Sequence, residues 1–159
     1  MAKAAPDKDF IGVEVHMPGV GRLLHQIEEH QLSNLRVYHE DVITVLNQAI
    51  APASLSRVQI FFPDPWHKKK HHKRRLIQSE FIQLLRGKLC VGGIIHLATD
   101  WQHYADHMLD VMSVADGFTN HNDAGGFSVA PEERPLTKFE NRGLRLGHGV
   151  WDLLFVKQS

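Results

Sequence analysis

The chain carries a single cysteine, no eighteen-residue apolar run and no net charge at neutral pH. Each shortage excludes something. Without a long apolar run, no membrane-spanning helix is expected. The opening "MAKAAPDKDF" has no apolar core of the kind a secretory signal needs, so it does not read as one. The lone thiol, Cys90, sits in the apolar run "KLCVGGIIHLA" and reads as buried, which fits a reducing, cytoplasmic setting. Nothing near it would lower its pKa, so a nucleophilic cysteine is not expected.

The zero net charge hides an asymmetry. Residues 66–75, "WHKKKHHKRR", hold six Lys/Arg and three His with no acid, which leaves the remainder at −6. A neutral chain with one cationic block has a local anion site rather than a generally adhesive surface. Length and 43% hydrophobic content suit one globular domain over residues 1–159.

Strand and helix patterns alternate along the chain. Strands are expected over 10–16, 33–40, 56–62, 89–99 and 149–157, with 56–62 strongly buried. Helices are expected over 19–31 with Val20, Leu23, Leu24 and Ile27 inward, and after Asp41 with Val42, Val45, Leu46 and Ala49 inward. Two more follow: 74–88 with Leu76, Ile77, Phe81, Leu84 and Leu85 inward, and one through Trp101, Tyr104, Met108, Leu109 and Met112. Asp41 reads as an N-cap. The two glycines of "LCVGGIIHLAT" read as a turn or bulge, and residues 117–135 as a long loop. This order predicts a three-layer α/β domain with a mostly parallel sheet. Ligands of such sheets bind at the carboxyl ends of the strands. Glu14, Asp41, Asp64 and Asp100 fall at four such ends.

"FFPDPWHKKKHHKRR", residues 61–75, concentrates the chemistry. Two prolines restrict the backbone on either side of Asp64 at the end of a strand. Trp66 and a block of cations follow directly. A stiffly held acid suits a reaction centre, and adjacent Lys and Arg suit a phosphate backbone. Trp66 and the histidines could stack on unpaired bases. Taken alone, "PDP" after a strand is a turn, and a basic run is a solvated surface. His67 and His71 are four residues apart, but the surrounding cations repel a metal ion, and none is expected.

At this point the chain resembles the bacterial tRNA (guanine-N7)-methyltransferase family. The likeness rests on residues 61–75 and on "GVEVHMPGVG", "SNLRV", "HLATDWQHYADHML", "RPLTKFENRG" and "RLGHGVWDL", and it covers nearly the whole chain from Phe10. It implies a Rossmann-like class I methyltransferase fold and S-adenosyl-L-methionine as methyl donor. It further implies N7-methylation of guanosine 46 in the variable loop of tRNA, in the cytoplasm. By matching position, Glu14 should hold the donor's ribose hydroxyls and Asp41 should sit at its adenine. Asp64 should serve catalysis and the donor's methionine end. Lys68, Asp100, Thr137, Lys138, Phe139 and Glu140 match substrate-binding positions, and Lys70, His71, His72, Lys73, Arg74 and Arg75 match an RNA-contacting stretch. Each acid has a plainer reading: Glu14 as a strand-end acid, Asp41 and Asp100 as helix caps, and Thr137 with Glu140 as a capping box.

One part of the family pattern is missing. The first strand with its Gly-rich donor-binding turn, E-x-G-x-G, is absent ahead of "FIGVEVH", and Gly12, Gly19 and Gly21 do not replace it. The resemblance therefore predicts a family member lacking its N-terminal part, impaired in methyl transfer, or else a non-catalytic tRNA-binding fragment. Loss of a central strand would expose sheet edges. Strand 10–16 could then pair with strand 57–62, or a second chain could fill the gap and make an oligomer.

Overall fold

The computed structural model describes residues 1–132, 134–135, 140 and 149–158. The chain divides into two units, 1–50 and 51–159.

In the first unit, β1 (Phe10–Val13) leads into α1 (Met17–Glu29), which returns to β2 (Leu35–Tyr38), and α2 (Val42–Ala49) follows. β1 and β2 pair in parallel with Phe10 opposite Leu35 and Val13 opposite Tyr38. A parallel pair needs a crossover, and α1 supplies it. Pro18 lies in the first turn of α1, where its missing N–H costs nothing. The helix therefore begins at Met17, and the strand expected over 10–16 stops at Val13. The strand expected over 33–40 likewise shortens to 35–38. Asn34 explains its start: the side-chain amide donates to the carbonyls of Ala2, Ala5 and Lys8, fastening the N-terminal segment. Val20 is buried as expected, whereas Leu24 is 54% exposed. A two-stranded sheet has too little apolar face to cover a thirteen-residue helix. Ala49 also faces solvent, while Val45 and Leu46 are buried.

In the second unit, β3 (Leu55–Phe61), α3 (Ser79–Lys88), β4 (Leu89–Thr99), α4 (Gln102–Ser113), β5 (Phe118–Asn120) and β6 (Trp151–Lys157) follow in order. The sheet order is β3-β4-β6-β5. β3 is parallel to β4, while β6 is antiparallel to both β4 and β5. Three of these four strands thus run one way and β6 alone runs against them. The core lies around β4 and β6, where Ile95, Leu97, Ala98 and Leu153 are fully buried, as are Ile82, Met108 and Met112 of the helices.

Four expectations change here, the first being that the loop expected over 117–135 opens with a short strand, β5, paired to β6. β3, expected to be strongly buried, has no buried residue, because it is an edge strand of its sheet. The helix expected over 74–88 begins only at Ser79; the cationic residues before it, Lys69–Arg74, form a 3-10 turn instead. Arg75 and Gln78 have non-helical ψ angles, and the Ile77 N–H goes to the Tyr104 hydroxyl, so the turn does not run on into α3. Cys90 is half-exposed rather than buried, near the start of β4. The Gly-Gly bulge is present. Pairing runs Leu55–Leu89 and then Arg57–Ile94, so β4 gains residues over β3. Gly92 has φ +78°, and a Cβ on Gly93 would lie 2.8 Å from the carbonyl oxygen of Cys90, so both positions require glycine.

Candidate functional site

β3 and β4 end side by side, with Phe61 opposite Ala98 and the Phe62 N–H donating to the Ala98 carbonyl at 2.8 Å. The two chains then diverge, one into Pro63-Asp64-Pro65 and the other into Asp100. Asp64 is exposed, and its Oδ1 accepts from the Trp66 N–H at 2.9 Å. This is an aspartate turn, so the plain reading of "PDP" is correct as local structure. Its surroundings are less ordinary. Phe62 and Trp66, on either side of the turn, have φ +52° and +46°, a left-handed region costly for bulky side chains. Such strain persists only where neighbouring contacts enforce it, and it gathers at functional sites.

Those neighbours are the cations. The Arg74 guanidinium lies 5.1 Å from the Trp66 ring centroid, and the His71 ring meets Trp66 edge-on at 5.8 Å. His67 instead meets Trp101 edge-on at 4.4 Å. The two histidines at helical spacing are thus committed to different tryptophans, and among the described residues no group of His, Cys, Asp and Glu could hold a metal. Lys68, Lys69, Lys70, Lys73 and Arg74 are exposed. His72, beside the His103 ring at 4.9 Å, is held below its ordinary pKa by partial burial and by the Arg75 charge. Little of the block's charge at neutral pH therefore comes from His72. Arg75 differs from the rest of the predicted RNA-contacting stretch: it is 2% exposed, and its Nε donates to the Pro65 carbonyl at 2.9 Å.

Asp100 does not cap α4. The N-cap is Trp101, and the Trp101 N–H is taken by Thr99 Oγ1 at 3.3 Å. The plain reading of Asp100 therefore fails, and its carboxylate stands half-exposed at the end of β4.

A buried charged chain lies elsewhere in this unit, and only Glu140 of it was expected. Arg134 donates to both Glu140 oxygens, at 2.7 and 2.6 Å, and its Nε lies 2.8 Å from Asp152 Oδ1 as an ion pair, too poorly aligned for a hydrogen bond. His96 Nε2 donates to the same Oδ1 at 2.7 Å. All four residues are under 10% exposed. The Glu140 carboxylate raises the Arg134 pKa. A signal for this chain was present in the sequence: His96 and Asp152 interrupt apolar strands, and a polar residue there needs a buried partner. Glu140 is thus placed with both oxygens on Arg134. Thr137, Lys138 and Phe139 lie outside the described residues, and with them the capping-box reading.

In the first unit, Glu14 and Asp41 follow the carboxyl ends of the parallel pair. The Glu14 N–H continues the ladder to the Tyr38 carbonyl at 3.0 Å. Its side chain bends onto the start of α1, where Oε1 accepts from the His16 N–H at 2.8 Å. This conformation depends on Gly19, because a Cβ there would lie 2.8 Å from Glu14 Oε2. Asp41 is the N-cap of α2, accepting from the Ile43 and Thr44 N–H groups through Oδ1 alone. Each carboxylate keeps one oxygen out of these local hydrogen bonds, so capping leaves acceptor capacity for a ligand's hydroxyl or amine.

Comparison with known proteins bears on the whole chain. Residues 1–153 match a family described as "Putative methyltransferase". The chain is 62% identical over 159 residues to a tRNA (guanine-N(7)-)-methyltransferase of Marinobacter nauticus, covering all of this chain and 67% of that protein. It is 60% identical over 157 residues to one of Pseudoalteromonas atlantica, covering 99% and 66%. The chain therefore spans about two thirds of the length of these curated relatives. Among solved structures, an rRNA methylase from Streptococcus thermophilus superposes with TM-score 0.63 at 12% identity, covering 95% of this chain and 74% of that one. A "putative methyltransferase from streptococcus mutans in complex with SAH" superposes with TM-score 0.58 at 10% identity, covering 94% and 76%. Those likenesses show the class I methyltransferase fold. With a family model matched over residues 1–153 and relatives near 60% identity along its length, the chain belongs to the tRNA (guanine-N7)-methyltransferase family.

Proposed function

We propose that this chain takes part in S-adenosyl-L-methionine-dependent methylation of N7 of guanosine 46 in the variable loop of tRNA. The observation that carries the reading is the strained Asp64 turn standing at the carboxyl ends of β3 and β4, directly before five exposed Lys and Arg residues. The relatives' names supply the reaction.

Guanine N7 carries a free lone pair, so no base has to remove a proton before attack. The task left to the protein is alignment and charge stabilisation. S-adenosylmethionine, when bound, supplies an electrophilic methyl group on a sulfonium. Glu14 takes the ribose hydroxyls and Asp41 the adenine, each through the oxygen its cap leaves over. Asp64 serves the methionine end and the reacting centre. Asp100, freed from capping, accepts from the guanine edge or stabilises the positive charge growing on its imidazole ring. Glu140 is assigned with Thr137, Lys138 and Phe139 to substrate binding, and Lys68 to the same task. Lys70, His71, His72, Lys73 and Arg74 hold the RNA backbone, with Trp66 and His71 available for stacking. The whole acts as one class I domain in the cytoplasm, and no metal is required.

The 159 residues contain no Gly-rich donor turn. By themselves they are therefore proposed to bind donor weakly and to transfer methyl slowly. The same observation favours a second reading, a tRNA-binding chain without catalysis. In either case β3, half-exposed at the edge of its sheet, offers a pairing edge to another chain. Titration with S-adenosylmethionine separates the two readings, because only the first requires binding. Asp64→Ala tests the catalytic assignment. Transfer should fall by at least a hundredfold with tRNA affinity unchanged, and near-normal turnover would remove Asp64 from that role.

A further inference from the structure

We infer that Arg75 is a positioning residue for the Asp64 turn and makes no contact with RNA, unlike the cations that precede it. The inference rests on the reading that Asp64 serves the reaction. Arg75 is the only buried member of the block, at 2% exposure, while Lys68, Lys69, Lys70, Lys73 and Arg74 are exposed. Its guanidinium is buried with it, and Nη1 has no hydrogen-bond partner among the described residues. Nε donates to the carbonyl of Pro65, the residue after Asp64, at 2.9 Å. Nη2 lies 3.3 Å from His103 Nδ1. A guanidinium can only donate, so Nδ1 accepts and the His103 proton sits on Nε2. The guanidinium carbon lies 4.7 Å from the ring centroid of Tyr104, which is fully buried. The Tyr104 hydroxyl accepts from the Ile77 N–H at 3.2 Å, fixing the chain just beyond Arg75.

These contacts fasten the Asp64 turn to α4 from beneath. They act on the segment whose flanking residues, Phe62 and Trp66, have positive φ. Such a backbone relaxes unless its neighbours hold it, and the Pro65 carbonyl lies between the two strained residues. Arg74, one position earlier, covers the Trp66 ring from above. Lysine cannot take the place of Arg75, because it has no Nε–H beside a planar face to donate and stack at once.

The test compares Arg75→Lys, Arg75→Gln and Lys70→Gln in the full chain labelled with 5-fluorotryptophan. Three tryptophans give three fluorine resonances, and Trp66→Phe and Trp151→Phe assign two of them. In Arg75→Lys the Trp66 resonance should shift and broaden while that of Trp151, in β6, stays in place. An unmoved Trp66 resonance overturns the inference. If Arg75→Lys loses the Trp151 resonance as well, the milder His103→Ala decides: a smaller Trp66 shift supports the inference and none overturns it. In tRNA binding, Lys70→Gln should lower the salt slope by about 0.7–0.9, whereas Arg75→Gln should leave it unchanged. An equal fall in both would make Arg75 an RNA contact. In methyl transfer, Arg75→Lys should reduce kcat at least tenfold with KM for tRNA within twofold; rescue by lysine contradicts the inference. If the parent chain neither binds tRNA nor transfers methyl, the functional reading fails while the fluorine result still decides the role of Arg75.

Discussion

Gly19 shows how a residue with no side chain can shape a site. Its absent Cβ is the space in which the Glu14 carboxylate lies. Gly19→Ala should therefore push the carboxylate aside and weaken donor binding several-fold. Helix α1 should be no less stable, because alanine favours helix over glycine. Thermal melts and calorimetric titration of the same variant check both halves, and unchanged donor affinity would free Glu14 from the ribose. The acids themselves were readable from the sequence, since strand-end positions follow from the alternation of strands and helices. What each carboxylate does locally was not. Asp41 caps a helix as expected and Asp100 does not, because α4 starts one residue later than expected, at Gln102, which makes Trp101 its N-cap. Burial of individual cations was equally hidden. A run of like residues does not say which one turns inward, and only the packing of Tyr104 and Pro65 selects Arg75.

Among the elements, α2 depends most visibly on one residue. Asp41 accepts two orphan N–H groups of an eight-residue helix, so Asp41→Ala should cost about 1 kcal/mol, measured by urea unfolding. Asp41→Asn should restore most of that stability. A loss with alanine that asparagine does not recover would mean the carboxylate charge, rather than the cap, matters. Strand and helix order was legible almost throughout, because apolar spacing records it. Element boundaries were less so. Pro18 moved the start of α1 forward, and the non-helical backbone at Arg75 and Gln78 delayed α3 until Ser79. The degree to which β3 is covered was not legible at all, since an apolar strand reads the same at an edge as at a centre.

Across the molecule, charge is divided between a solvated cationic block and a buried chain of four polar residues. Neutralising Lys68, Lys70 and Arg74 together should lower the slope of log affinity for tRNA against log salt by about 2–3. An unchanged slope would make the block ordinary solvated surface. The buried chain has the opposite character. Arg134→Ala would leave the Glu140 and Asp152 carboxylates without their shared guanidinium, and should cost about 3–5 kcal/mol of unfolding free energy. A cost below about 1 kcal/mol would show that water replaces the pair. His96 and Asp152 could have been suspected from their apolar neighbours, but their joining to Arg134 depends on the register of β4 and β6, which no local pattern reveals. The measurement that bears most directly on the function is single-turnover methylation of tRNA by this chain in excess, with labelled S-adenosylmethionine and the acceptor atom mapped by cleavage at N7-methylguanosine. Slow transfer to N7 of one variable-loop guanosine, abolished by Asp64→Ala, is the predicted result. Transfer to another atom, or tRNA binding with no transfer at all, would contradict it.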